Sequence, residues 1–129
     1  MIGSLGGIAS KAPVFAGFFM VIMLGSISLP LTNSFIGEFL LLQGVFQFNA
    51  FLAAVAGLTI ILSAVYMLWM YQRTMYGEVK EATAGFADLT IQEILVLAPI
   101  VAVILWIGVY PHLFLQMAEP AVKSILSIQ

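Results

Sequence analysis

Residues 29–38 read Leu29-Pro30-Leu31-Thr32-Asn33-Ser34-Phe35-Ile36-Gly37-Glu38, and their interpretation decides the fold. Proline lacks an amide hydrogen, and its ring clashes with the preceding helical turn. Thr32, Asn33 and Ser34 compete for backbone hydrogen bonds that a helix would otherwise use. Pro30, Thr32, Asn33 and Ser34 therefore mark a helix break. Apolar sequence flanks it, with no formal charge from Ala12 to Gly37 or from Phe39 to Gln72. Two readings are open. A broken helix at membrane depth survives where it is buried in protein or lines a wet cavity, as it does at transporter sites. A hairpin turn at the membrane surface has the same spacing.

Composition makes the membrane setting firm. Of 129 residues, 63% are hydrophobic and only 8% are charged, and the mean hydropathy is +1.15. A soluble domain carries about a quarter charged residues. A third uncharged stretch runs from Ile94 to Ala118. A bilayer needs about 20 apolar residues per helix. The sequence predicts an all-α, polytopic chain, a single membrane region over 1–129 with about three spans. These are a broken first unit at about 13–47, a second at about 50–72, and a third at about 94–115. Pro99 is placed to kink the third, and an amphipathic tail from Glu119 to Gln129 follows.

Several function classes are excluded. The net charge is −2 and no basic patch exists, so nucleic acid is not an expected partner. Without cysteine there are no disulfides and no Cys-held clusters. One histidine cannot build a metal site alone. No Gly-rich phosphate loop is present. The chain is expected to hold no cofactor of its own. Lys11 precedes an apolar run, but the cleavage pattern of a signal peptide is missing.

Four cations orient the chain. With three spans, Lys11, Arg73 and Lys80 fall on one side and Lys123 on the other. The positive-inside rule places the N-terminus and the 73–93 connector on the cytoplasmic side, or its organelle equivalent, and the C-terminus opposite. Tyr66, Trp69, Tyr71 and Tyr76 form one aromatic belt, and Trp106 and Tyr110 the other.

Glu38 is the chemical focus. An acid deep in an apolar stretch is costly, and such residues usually face a bundle interior and mark an ion or proton path. Withdrawal from water penalises the ionised form, which makes a carboxyl suited to reversible proton transfer. On the surface-turn reading it sits instead among headgroups. Thr59, Ser63 and Tyr66 share one face of the second span, at i, i+4 and i+7. They can relay a proton or hold water, or they can pack helices together with the small residues Ala53, Gly57 and Ala64. Arg73 and Lys11 read as anchors and His112 as an interfacial residue. Gln43 and Gln47 point away from Glu38, toward other helices.

Longer motifs resemble a known pattern. They are Leu5-Gly6-Gly7, Ala12-Pro13, Leu29-Pro30, Asn33-Ser34-Phe35-Ile36-Gly37-Glu38-Phe39, Leu62-Ser63-Ala64-Val65-Tyr66-Met67-Leu68 and Gln72-Arg73-Thr74-Met75-Tyr76-Gly77, joined by Asp88-Leu89 and Gly108-Val109-Tyr110-Pro111. The chain resembles the C-terminal part of chain M (mitochondrial chain 4) of proton-pumping NADH:quinone oxidoreductase, an antiporter-like subunit family. The resemblance covers nearly the whole chain but only the last quarter or so of the family's usual length. It implies two inverted half-repeats, each with a broken helix. The first unit here is then the second such helix. It also implies that Glu38 is the protonatable residue of the distal half-channel, where related antiporter chains generally have lysine. The family often has Leu-Pro-Gly at the break, and Leu31 stands in place of that glycine.

The expected function is a share in proton translocation by a membrane subunit of NADH:quinone oxidoreductase, located in a bacterial inner membrane or its organelle equivalent. NADH, flavin, iron–sulfur clusters and quinone are expected elsewhere in the complex. The partners are its other membrane subunits, the helices missing from the N-terminal side, and the lipid bilayer. The chain is expected to be a fragment or one piece of a split protein, and not to pump alone. Two rivals remain: a subunit of a cation/proton antiporter or membrane hydrogenase of the same fold, and a structural membrane segment with no transport role.

Overall fold

In the computed structural model, which describes residues 5–126, the chain is all-helical among those residues. A single turn, α1 (Ile8–Lys11), precedes α2 (Pro13–Ser26), where Pro13 occupies the first turn and so costs no hydrogen bond. After the break come α3 (Asn33–Phe48) and α4 (Ala50–Met75). The Asn49 side chain caps α4 by accepting from Phe51 N at 2.9 Å and Leu52 N at 3.2 Å. One residue therefore turns the chain back on itself, and α3 and α4 pack as a hairpin.

The connector carries α5 (Glu81–Ala84) and leads to α6 (Ile91–Val109). A capping box starts α6: Glu93 accepts from Thr90 N at 2.7 Å, and Thr90 Oγ1 accepts from Glu93 N at 3.4 Å. The helix runs on through Pro99. It ends at Val109, six residues short of the expected Leu115. Pro111 is the reason, because the residue before a proline is steered out of helical geometry. His112 then starts α7 (His112–Leu126), so the tail helix begins earlier than Glu119. Residues 127–129 of the expected tail lie outside the described residues.

Among the described residues two helices, α4 and α6, are long and apolar enough to cross a bilayer, and α2 is a shorter apolar helix. Along their most apolar windows only 6% of α4 and none of α6 is buried. So much exposed apolar surface is untenable in water. It fits lipid or neighbouring helices.

The break has a definite build. Leu29 N bonds Leu24 O at 3.2 Å across Ser28, whose φ is +57°. That is a Schellman ending of α2 with serine where glycine is usual. A tight turn follows at once. Thr32 N bonds Leu29 O at 3.1 Å, Pro30 is its second residue, and Leu31, its third, has φ +79°. Proline then a positive φ is the type II pattern, which favours glycine at Leu31. Both left-handed positions are thus held by residues with a Cβ, at about 1–2 kcal/mol each. Leu31→Gly is expected to recover that strain, less about 0.5–1 kcal/mol for a freer unfolded chain. A small rise in the thermal midpoint of the detergent-solubilised protein is the expected result; a fall would contradict this account.

The buried core gathers at the connector end. Ile8, Ala12, Ala16, Met23, Tyr71 and Met75 form it, with Phe15, Phe19 and Met67 packed around. Tyr71 Oη donates to Ala16 O at 3.1 Å, which joins α4 to α2. Gly7 N bonds Tyr76 O at 3.2 Å, and the fully buried Thr83 donates from Oγ1 to Gly6 O at 2.7 Å. Backbone polar groups far apart in sequence are thereby satisfied.

Candidate functional site

Glu38 sits on the second turn of α3, partly buried, in a mostly apolar cleft of about 370 Å³. Leu41 and Leu42, one turn on, supply the α3 wall beside it. Ala56, Thr59, Ile60 and Ser63 supply the α4 wall, and Ile27 closes the end nearest the break. The carboxyl thus shares one small space with two hydroxyls. Thr59 Oγ1 donates to Ala56 O at 2.6 Å, a local bond that leaves its oxygen able to accept.

Of the hydroxyl face expected on α4, Thr59 and Ser63 line the cleft and Tyr66 does not. Tyr66 lies farther from the Asn49 turn than Glu38 does, and the residue is 57% exposed. A shared helical face is not a shared cavity: Ile27 lines the cleft at the end nearest the break, and Tyr66 is not among its lining residues. Among the described residues the salt bridge runs between Lys123 and Glu119, at 2.6 Å, and does not involve Glu38. No group of three His, Asp or Glu side chains that could hold a metal is assembled among them either.

The helix-break residues have separate jobs. Pro30 and Leu31 make the turn. Thr32 Oγ1 donates to Leu29 O at 2.6 Å, so it braces the turn instead of capping α3. The amides at the start of α3 are left without a side-chain cap, and the positive end of the helix dipole faces the break. Asn33 Oδ1 lies 3.9 Å from where a Cβ on Gly25 would stand, and Ser34 is partly buried. Ser28 Oγ is buried and has no hydrogen-bond partner among the described residues.

The remaining candidates are peripheral. The Arg73 guanidinium lies 4.1 Å over the Trp69 ring, a cation–π contact at the end of α4. His112 bonds Gln116 at 2.9 Å on α7. Gln43 lines a separate apolar cleft with Phe39 and Phe46. Lys11 is exposed at the end of α1.

Sequence reasoning missed Asp88 as a clamp. Its carboxylate accepts from Val14 N at 3.0 Å and Phe15 N at 2.9 Å, at the start of α2, and from Leu89 N at 2.8 Å. An anion there also meets the positive end of the α2 dipole. Partial withdrawal from water pushes this carboxyl upward, but the Phe15, Val14 and Leu89 donors outweigh it and hold the group below its ordinary 3.8. The clamp therefore adds stability above that ordinary value and loses it as pH falls through the lower, folded value. Asp88→Ala should lower the amide protection factors at Val14 and Phe15 at neutral pH, and acidification should lower them in the parent protein alone. Equal protection in the variant would show that the clamp is idle. No local pattern betrays this residue, since its partners on α2 lie more than 70 positions away.

The comparisons with known proteins agree with this architecture. A family model described as NADH:quinone oxidoreductase/Mrp antiporter, TM, matches residues 1–65. NADH-quinone oxidoreductase subunit M of Rickettsia typhi is 45% identical over 126 residues, covering 97% of this chain and 26% of that protein. NADH-ubiquinone oxidoreductase chain 4 of Marchantia polymorpha is 41% identical over 122 residues, covering 94% and 25%. A chain in the structure of respiratory complex I from Thermus thermophilus with bound NADH superposes with a TM-score of 0.87 at 33% identity, covering 95% of this chain and 26% of that one. The chain spans about a quarter of the length of the relatives it matches.

Proposed function

The chain belongs to the NADH:quinone oxidoreductase/Mrp antiporter family of membrane proteins, and from that premise we propose that it is the C-terminal portion of a proton-translocating subunit of NADH:quinone oxidoreductase in which Glu38 takes up and releases the proton. The observation that carries this reading is the Glu38 cleft beside an interrupted helix, with Thr59 and Ser63 opposite the carboxyl. Interrupted helices at membrane depth recur where ions or substrates cross. A carboxyl within an apolar stretch is costly to keep there, and such groups mark ion or proton paths. Ser63 can accept and donate, and Thr59 Oγ1, whose hydrogen goes to Ala56 O, can accept, so the pair suits an ordered water. The redox groups and the quinone site belong to other subunits, which this chain would meet as partners in the bilayer.

The orientation proposed is cytoplasmic, or matrix, for the N-terminal side and the connector. Support comes from the way residues 6–7 bond into residues 76–83, which gathers Lys11, Arg73 and Lys80 at one end.

The family description also covers antiporters, which keeps a cation/proton antiporter subunit as the second reading. Relatives at 41–45% identity named as oxidoreductase subunits favour the first. The test is proton translocation by the membrane-reconstituted assembly carrying Glu38→Gln. Loss of translocation with assembly intact is expected. Normal translocation would sink the assignment.

A further inference from the structure

We propose that Gly108 of α6 is a positioning residue: it fixes the Leu31–Thr32 peptide at the helix break, and through it the placement of Glu38 on α3. This rests on the reading of Glu38 given above.

The argument starts from a close approach. A Cβ on Gly108 would overlap the Leu31 carbonyl group and stand 2.5 Å from Thr32 N, inside the 3.0 Å that real Cβ atoms respect. The obstructing atoms are backbone. They cannot swing aside as the end of a flexible side chain can. Gly17, Gly37, Gly44 and Gly57, also within helices, have nothing within 4 Å of a Cβ. The notch at Gly108 is therefore specific to this crossing.

One turn earlier on the same face of α6, Ile104 Cγ2 lies 3.2 Å from where a Cβ on Gly25 would stand, near the end of α2. Ile104 and Gly108 thus rest on the two sides of the break, and α6 acts as a splint across both half-helices. This answers a question the break itself raises. Leu31 holds a left-handed φ of +79° that a leucine would leave if free. Such a conformation persists only where its surroundings over-determine it. The α6 backbone pressed against the Leu31 carbonyl is that surrounding. Thr32 is the residue before α3, and Glu38 follows within two turns of the same helix. A shift of the peptide must therefore shift the carboxyl. Besides Leu41 and Leu42 of α3, the cleft is lined by Ile27, just after α2, and by Ala56, Thr59, Ile60 and Ser63 of α4, so Glu38 is its one carboxyl among the described residues, and α6 carries no charge between Ile94 and Val109.

The test is Gly108→Ala in the native membrane assembly, beside Gly57→Ala as a helix-glycine control. In the assembled variant, proton translocation per turnover is expected to fall about tenfold or more, since displacement of about 1 Å costs a positioned group heavily. The pH midpoint of translocation should also move, while Gly57→Ala changes neither. Adding Leu31→Gly should restore part of the rate, because glycine lets the peptide move away from the new methyl. An assembled Gly108→Ala protein with normal rate and normal pH midpoint overturns the proposal. A lower rate at an unmoved midpoint also overturns it, as that is a merely structural loss. If Gly108→Ala fails to assemble, the double variant is read instead. It should assemble with a displaced midpoint, and its failure to assemble, or an unmoved midpoint, refutes the positioning role. Glu38→Gln separates the two claims. Normal translocation there removes the proton-carrier reading itself, whereas its loss beside a normal Gly108→Ala removes only the splint.

Discussion

Glu38→Gln should lower coupled proton translocation by about two orders of magnitude, the range lost when a positioned acid–base group is removed. Glutamine keeps the length and shape of glutamate and so fills the same place in the cleft lined by Thr59 and Ser63. It cannot give up a proton near neutral pH. Stability should not suffer. An amide is cheaper to withdraw from water than a carboxylate, so assembly and heat resistance should hold or improve slightly. That combination, transport lost and the assembly kept, is what distinguishes a proton carrier from a packing residue. Glu38→Asp keeps the acid but draws it back from the α4 hydroxyls, so it should fall between the parent and glutamine. Proton uptake by inside-out vesicles or proteoliposomes reads all three. Equal pumping by parent and glutamine variant would leave Glu38 as an interfacial or structural acid.

Gly7→Ala should cause the largest loss of stability at the connector end. Gly7 has φ +68°, and a methyl there would stand 2.7 Å from Val79 N and 2.8 Å from Val79 Cα. Left-handed strain and forced overpacking together cost roughly 2–5 kcal/mol. Gly77 is the control. Its φ is +93° but nothing lies within 4 Å of a Cβ, so Gly77→Ala carries only the strain, about 1–2 kcal/mol. Limited proteolysis of the 76–90 segment should rank them with Gly7→Ala cut fastest, then Gly77→Ala, then the parent. If the two variants are cut alike, the Val79 contact contributes nothing.

What could be read in the sequence divides along a physical line. Spans and break are local: uncharged runs announce the helices, and Pro30 with Thr32, Asn33 and Ser34 announces the interruption. Glu38 stood out because no other acid lies so far from a charge. Helical spacing put Thr59 and Ser63 on one face, and the hairpin at Asn49 set that face opposite Glu38. Long-range contacts left no such trace. Asp88 reaches the start of α2, Thr83 reaches Gly6, and Gly108 meets Leu31, each across more than 70 residues. Only the three-dimensional arrangement joins them. Tyr66 shows the converse, since periodicity fixes its face on α4 but not whether that residue lines the cleft. The end of α6 at Val109 is legible in Pro111, but the apolar run continues to Leu115 and lengthens the expected span.

α3 can also be viewed as a stiff lever. It spans Asn33 to Phe48, hinged at one end by Asn49 and held at the other by the α2–α3 break, with Glu38 a third of the way from the latter. With a uniform rise per residue, a displacement at the break moves the carboxyl by about two-thirds as much, and the same push at the Asn49 hinge by about one-third. Mechanical signals entering at the break therefore have about twice the leverage over the acid as those entering at the hairpin tip.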